Sequence, residues 1–463
     1  MDSTSERIKI ILQELDKLPK GYISKKTIRG KERFYLQWAE NDKVRSKYIR
    51  SEDYETVLAQ VEKRKSLQAE LKKLRETPEG IRESNLKRKA DRNMNEMTGK
   101  LMSEDREIAS VKNGVITVYD DQLLPLYLKR TGDLEGWLAS RAIDPHRTNS
   151  RLLKKALRLR TADDAHTALA VNAATVTDRY WFRPEGSSAS YEDIRFKVNY
   201  FDSLALRGDP DGFSQKPSRT PELTNTGSFE KCWRLIDGVW WMYKSGNSNE
   251  YFSELFICRL GEKLGFDMAH YEMDDGYIRS RDFTAGLDVN FEPVSSLMGN
   301  NEDYSDCFDC INGISPELAR QYLRIVWLDT VCYNMDRHTE NFGFLRSVKD
   351  GTIVSMAPNY DNNIALISRG YLASSSRSSD GIIDFFREFL RKNAASKKLF
   401  CEMDWPEITG EMLDECFGEI PIEADRDYVR EFILNGQRIV GDIIRTEEIV
   451  RDTGETGPYD LTL

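Results

Sequence analysis

The chain has 463 residues, of which 40% are hydrophobic, 31% charged and 10% aromatic; these are values of a globular chain with room for several domains, and they exclude a disordered or collagenous one. No run approaches the ~18 consecutive apolar residues of a spanning helix, and the amino terminus has no apolar stretch of signal-peptide type, so the expectation is a cytoplasmic protein with no membrane association. The net charge of −10 conceals a gradient, since residues 1–100 carry +8 and the other 363 carry −18; a polyanion or an acidic surface would be met at the front. Seven cysteines include a single CxxC pair, Cys307 and Cys310, without a second pair at zinc-ribbon spacing, and read as reduced thiols.

In chain order, residues 21–50 alternate bases with Tyr22, Phe34, Tyr35, Trp38 and Tyr48 around turn signals at Gly30 and Asn41-Asp42. This predicts a small antiparallel sheet with one basic face. Residues 52–76 place Val57, Val61, Leu67, Leu71 and Leu74 at helical spacing, predicting one amphipathic helix or a short coiled coil. Bases interleaved with aromatics can bind nucleic acid or an acidic partner over residues 21–77, and a solvated surface is the plainer reading. Pro78-Glu79-Gly80 breaks the pattern, and the charged residues 81–112 read as a linker or an exposed helix.

Helices are expected around Asp121–Lys129, Asp133–Arg141 and Thr148–Leu159. The last, with Arg147, Arg151, Lys154, Lys155, Arg158 and Arg160 on it or beside it, resembles a groove-binding helix less than a solvated basic face. A strand is expected at Tyr180–Arg183, and the loop Gly208–Pro221 is the best domain boundary.

Residues 222–244 predict a hairpin: a small-residue turn at Gly227, a strand from Phe229 to Ile236, an Asp237-Gly238 turn, and a strand leading to Lys244. A helix capped at Ser248 or Asn249 and running to Leu264 follows, with Glu254 ten residues after the lysine. A strand lysine and a helix glutamate can pair, and the pair would hold the lysine on phosphate oxygens. Ser315-Pro316-Glu317 caps a helix that ends near Tyr333 and delivers the chain into NMDRHTEN. Asp336 and Asn341 are spaced so that a loop can offer a carboxylate to a hydroxyl and an amide oxygen to magnesium. A second hairpin, Phe342–Arg346 and Thr352–Met356, returns Asp361 beside Asn341 as a second hard-cation ligand. Asp-x4-Asn alone is weak, and the ordered set is what carries the reading. The sequence contains no GK[ST], GxGxxG, HExxH or GxSxG pattern.

With those motifs, residues ~220–445 resemble the HipA-like serine/threonine kinase family through TNTGSFEK, YKSG, FSELF, NMDRHTENFGFL and APNYDNN. The resemblance implies an α+β fold: a bilobal protein-kinase-like catalytic domain behind a mixed α/β amino-terminal region. It implies ATP and Mg2+ as cofactors, Asp336 as catalytic base, Lys244 as the catalytic lysine on the phosphates, and Asn341 and Asp361 as metal ligands. The loop with Gly227 and Ser228 would cover the nucleotide, Lys244 and Glu254 would complete its binding site, and Thr224 matches the family's autophosphorylated hydroxyl. Segment Ile278–Phe283 falls where the interlobe hinge should meet adenine, and His338 should orient backbone rather than bind metal. The first 220 residues do not match the family's amino-terminal subdomain, so neither the toxin role nor a DNA-binding antitoxin partner carries over. The division expected is 1–77 basic sheet and helix, 78–112 linker, 113–220 accessory domain and 221–450 kinase domain. The function implied is phosphoryl transfer to Ser/Thr hydroxyls of a protein substrate and of the chain itself. The competing readings are a nucleotide-sensing adaptor whose front binds nucleic acid or protein, and a small-molecule phosphotransferase.

Overall fold

The computed structural model describes residue 7 and residues 10–11, 13–15, 17–28, 31–40, 43–76, 97–159, 163–378 and 380–453. The chain divides into two compact units, Met1–Asn95 with Arg130–Asp133, and Glu96–Lys129 with Leu134–Leu463. Among the described residues no helix is long and apolar enough to cross a membrane. All seven cysteines are free thiols, most of them buried.

The first unit contains the expected sheet, β1 (Tyr22–Ile28), β2 (Lys31–Glu40) and β3 (Lys43–Ile49), antiparallel in that order. Helix α1 (Tyr54–Glu76) follows. Val61, Leu67 and Leu71 are buried on α1, the latter two against Ile11 and Leu15, which is the outcome that apolar side chains at helical spacing dictate. The predicted turns at Gly30 and at Asn41-Asp42 and the breaker at residues 78–80 lie outside the described residues.

The second unit begins with strands where a linker or exposed helix was expected. β4 (Gly99–Ser103), β5 (Arg106–Lys112), β6 (Val115–Val118) and β7 (Tyr180–Pro184) form a sheet in the order β6-β5-β4-β7. The charges of residues 81–112 concealed this because Lys100, Glu107 and Arg183 pair across the sheet surface, while Leu101, Met102, Ile108 and Ala109 are buried beneath. Short helices follow at Leu126–Thr131, Leu134–Ser140 and Thr148–Ala156, the last labelled α2.

The expected hairpin is β8 (Lys231–Ile236) and β9 (Val239–Lys244). Asp237 and Gly238 both adopt positive φ, 49° and 80°, the backbone that a two-residue turn matched to strand twist demands. With β10 (Tyr271–Asp274) and β11 (Tyr277–Arg281) they form a sheet in the order β10-β11-β9-β8. Helix α3 (Ser248–Lys263) lies between β9 and β10 in the chain and is capped by Asn247, one residue before the predicted cap, with Glu250 closing a capping box. A second sheet, β12 (Val289–Pro293), β13 (Gly343–Ser347) and β14 (Ile353–Met356), is ordered as numbered. Helix α4 (Pro316–Cys332) starts at Ser315 with Pro316 in its first turn, as predicted. It ends at Tyr333 with φ 58°, a left-handed residue that redirects the chain into the segment before β13.

One apolar core joins Phe252, Phe256 and Leu260 of α3 to Leu323 and Val326 of α4 and to Phe386, Phe417 and Phe432 of the carboxy-terminal helices. The loop Gly208–Pro221 lies inside this second unit and is not a boundary. Residues before and after it interlock: the Asn149 backbone N–H donates to the Glu230 carboxylate.

Candidate active site

β9 delivers Lys244 to the inside of the second unit, where it is only 7% exposed. Its ammonium donates to Asp361 Oδ1 at 2.6 Å and lies 3.8 Å from Glu254 Oε2 and 5.6 Å from the centre of the Tyr271 ring. The predicted lysine and glutamate pair is therefore present as the longer contact, and the nearer carboxylate is Asp361. Glu254, fully buried on α3, accepts the backbone N–H of Asn362 at 2.7 Å through Oε1. Its Oε2 has no hydrogen-bond partner, and burial pushes its carboxyl up, with Lys244 only partly offsetting that effect. Asp361 stands at the left-handed φ of 61°, and its N–H donates to the Tyr271 hydroxyl. Burial would raise its carboxyl, yet Lys244 and Lys231 together hold it at about 2.

Lys231, directly across the hairpin from Lys244, was not foreseen as a site residue. It is buried, which lowers its ammonium to about 7 despite Asp361. Its Nζ lies where a Cβ on Gly227 would come within 2.4 Å. With φ 91° at that position, glycine is required both for the backbone and for the space. The signal that could have found Lys231 is its register opposite Lys244, which a hairpin with a two-residue turn fixes.

The loop between α4 and β13 is built around Arg337, which is 6% exposed. Its guanidinium pairs with both oxygens of Asp329 on α4 at 2.8 Å. It also donates to the carbonyls of Asn341 and Tyr360 at 2.6 and 2.7 Å and to Oδ1 of Asn359 and Asn362. One side chain thus ties the Asp336–Asn341 turn to the segment carrying Asp361. Asn341 Nδ2 donates to Asp336 O at 2.8 Å, and its Oδ1 accepts from no described residue. Asp336 is half-buried, and burial raises its carboxyl, the negative charge of Asp361 adding to this and His338 opposing it. His338 Nδ1 accepts from the Glu340 N–H, a local backbone role as expected.

The remaining predicted positions are placed as follows. Gly227 and Ser228 are exposed in the turn before β8. Thr224 is buried at the end of the short helical turn Pro221–Thr224, its hydroxyl donating to Ala174 O at 2.6 Å. Most of Ile278–Phe283 belongs to β11, and Phe283 stacks edge-on to Phe291 and packs on Tyr360, the neighbour of Asp361. A cleft of about 420 Å³ opens beyond β11, lined by Trp240, Asp282, Thr284 and Arg179 among others; Asp282 belongs to the predicted hinge segment, while Gly227, Ser228, Lys244, Glu254, Asp336, Asn341 and Asp361 do not line it.

The reading of the α2 region as a solvated basic face is corrected at Arg147. This residue, 2% exposed, donates to the carbonyls of Asn225, Gly227 and Lys231 and so holds the glycine turn from outside. Replacing Arg147 by alanine leaves those carbonyls without their donor and should lower the melting temperature by several degrees, as the loss of hydrogen bonds from a charged donor does. Thermal denaturation of the variant would show the loss, and an unchanged melting temperature would remove Arg147 from the loop's support.

The sequence of this region has a counterpart among known families. Residues 234–412 match the family model of the HipA-like C-terminal domain. This segment is HipA-like. Residues 1–59 match a domain of unknown function, DUF6788. No curated protein matches the chain. Among solved structures, the chain is similar to a Helicobacter pylori proinflammatory kinase, CtkA, with 17% identity, 48% of this chain and 95% of that one covered, and a TM-score of 0.37. It is also similar to HipA in a Shewanella oneidensis MR-1 toxin–antitoxin complex with HipB and operator DNA, with 11% identity, 76% and 99% covered, and a TM-score of 0.45. Both TM-scores lie below 0.5, and the likeness of residues 234–412 rests on the family match.

Proposed function

We propose that the chain is an ATP- and magnesium-dependent kinase that transfers the γ-phosphate to Ser/Thr hydroxyls of proteins, itself included. The observation that carries this reading is the convergence of Lys244, Glu254 and Asp361 in one buried ion cluster, tied through Arg337 to the loop of Asp336 and Asn341. Phosphoryl transfer needs positioning and charge neutralisation more than covalent chemistry, and this cluster offers both. Lys244 and Lys231 would meet phosphate oxygens, and Asp336 would accept the proton of the attacking hydroxyl.

The oxygens of Asn341 and Asp361 suit a hard cation. Among the described residues no group of three or more His, Cys, Asp or Glu could hold a metal ion; magnesium would take the rest of its shell from phosphate and water. Bound there, magnesium would neutralise charge on the transferring phosphate. Asp361 would be shared between that cation and the Lys244 ammonium from which it accepts in the structure.

Self-labelling at Thr224 would require the Pro221–Thr224 turn to open, whereas Thr226 and Ser228 in the same loop are exposed. The test is incubation of the full chain with magnesium and γ-labelled ATP, followed by phosphosite mapping. Label on a hydroxyl of residues 224–228, absent without magnesium, is the expected outcome. Tight ATP binding with no label on protein, even with candidate substrates present, would shift the reading to a small-molecule acceptor or a nucleotide-sensing adaptor.

A further inference from the structure

The kinase reading leaves the first unit without a task. Side chains alternate across a strand, and the observed register places Tyr22 and Lys26 of β1, Arg33 and Tyr35 of β2, and Tyr48 of β3 on one face. The opposite face holds Phe34 and Ile49 and is the one that meets α1: the rings of Phe34 and Tyr54 are 4.2 Å apart, and Ile49 is 6% exposed. The first face is open. Tyr22 and Tyr48 on it are 53% and 48% exposed. The Lys26 ammonium lies 5.3 Å from the Tyr35 ring and the Arg33 guanidinium 5.9 Å from the Tyr48 ring. Tyr35 and Tyr48 themselves are cross-strand neighbours with centres 5.5 Å apart. No carboxylate stands on this face among the described residues; Glu32 lies on the other side, where it pairs with Lys25.

We propose that this open face binds single-stranded nucleic acid. Cations for phosphates and π faces for unpaired bases are the two chemistries such a strand needs from a protein surface. Both occur here in alternation over three neighbouring strands. A duplex fits less well. Its bases are stacked on one another and show a groove only their edges. Paired bases would also leave the exposed rings nothing to stack on. An acidic protein would use the cations and leave the rings idle.

The experiment titrates the full chain into a labelled oligonucleotide of mixed sequence, as single strand and as duplex, with polyglutamate as a competitor. The expected result is binding of the single strand at low salt, falling steeply as salt rises. Tyr48→Ala should weaken it about tenfold, the loss of one stacked base. Lys26→Ala with Arg33→Ala should weaken it further and flatten the salt slope by about one for each phosphate contact removed. Lys25→Ala, on the helix side, should leave it unchanged, and circular dichroism would verify that each variant folds. The proposal is overturned by any of four results: no single-strand binding at low salt, tighter binding of the duplex, equal competition by polyglutamate, or variants of the open face that bind as the parent does.

Discussion

Replacing Asp336 by asparagine should lower phosphoryl transfer by roughly 10²–10⁴-fold, the usual worth of a positioned general base, while ATP affinity changes by no more than about twofold. The substitution is close to isosteric and spares the backbone contacts of the turn, since Asn341 holds the Asp336 carbonyl and Asn334 the Asp336 N–H. Lys244 makes its ion pairs with Asp361 and Glu254 and none with Asp336, so the nucleotide side of the cluster should be undisturbed. There is a pH signature as well. Burial raises the Asp336 carboxyl, and a base is active only when deprotonated, so the acid limb of the rate profile should lie above the ordinary carboxylate range. Transfer should be lost as pH falls through that raised value, and asparagine should abolish the limb. Labelled transfer measured beside calorimetric ATP binding checks both parts. Undiminished turnover in the variant would exclude Asp336 from the chemistry.

The second large effect concerns Arg337. Changing it to leucine strands the Asp329 carboxylate, itself 2% exposed, without its cation, and breaking a buried pair from one side costs on the order of 3–5 kcal/mol. The melting temperature should fall accordingly. Removing Asp329 as well, as Asp329→Leu with Arg337→Leu, should recover a large part of that loss, because a buried ion pair replaced by apolar groups is often near neutral. Activity should not return. The carbonyls of Asn341 and Tyr360 depend on the same guanidinium, and without it the two halves of the site lose their common tether. Thermal denaturation and transfer assays on the single and double variants form a cycle. A double variant that is stable and fully active would reduce Arg337 to a packing element.

How far this was visible beforehand follows from where each signal resides. The β8–β9 hairpin, α3, α4 and the second hairpin were legible because turn chemistry and apolar period are local: Asp237-Gly238, Ser315-Pro316 and the α3 repeat each name their structure within a few residues. The chemistry-bearing residues at the ends of those elements were therefore placed in order. Strands β4 and β5 were hidden, since their outward charges look like a linker until a partner strand supplies the opposite charges. Arg147 and Lys231 were hidden for a related reason. A buried arginine or lysine is indistinguishable in sequence from a solvated one, and only the carbonyls or carboxylates brought to it by distant chain reveal its role. Thr224 was identified by its place in a motif, and its burial against Ala174 depends on a segment fifty residues away.

The grip of Arg147 on the glycine turn also defines what can be cut away. A shortened chain starting at residue 221 would retain Lys244, Glu254, Asp336 and Asp361 and still match the recognised family segment. It would nonetheless leave four carbonyls, those of Asn225, Thr226, Gly227 and Lys231, without their donor and Thr224 without Ala174. The segment shared with relatives is thus not a transplantable module. Its glycine loop is inherited together with the α2 region, and insertions or deletions between residues 143 and 180 should be tolerated as poorly as changes in the loop itself.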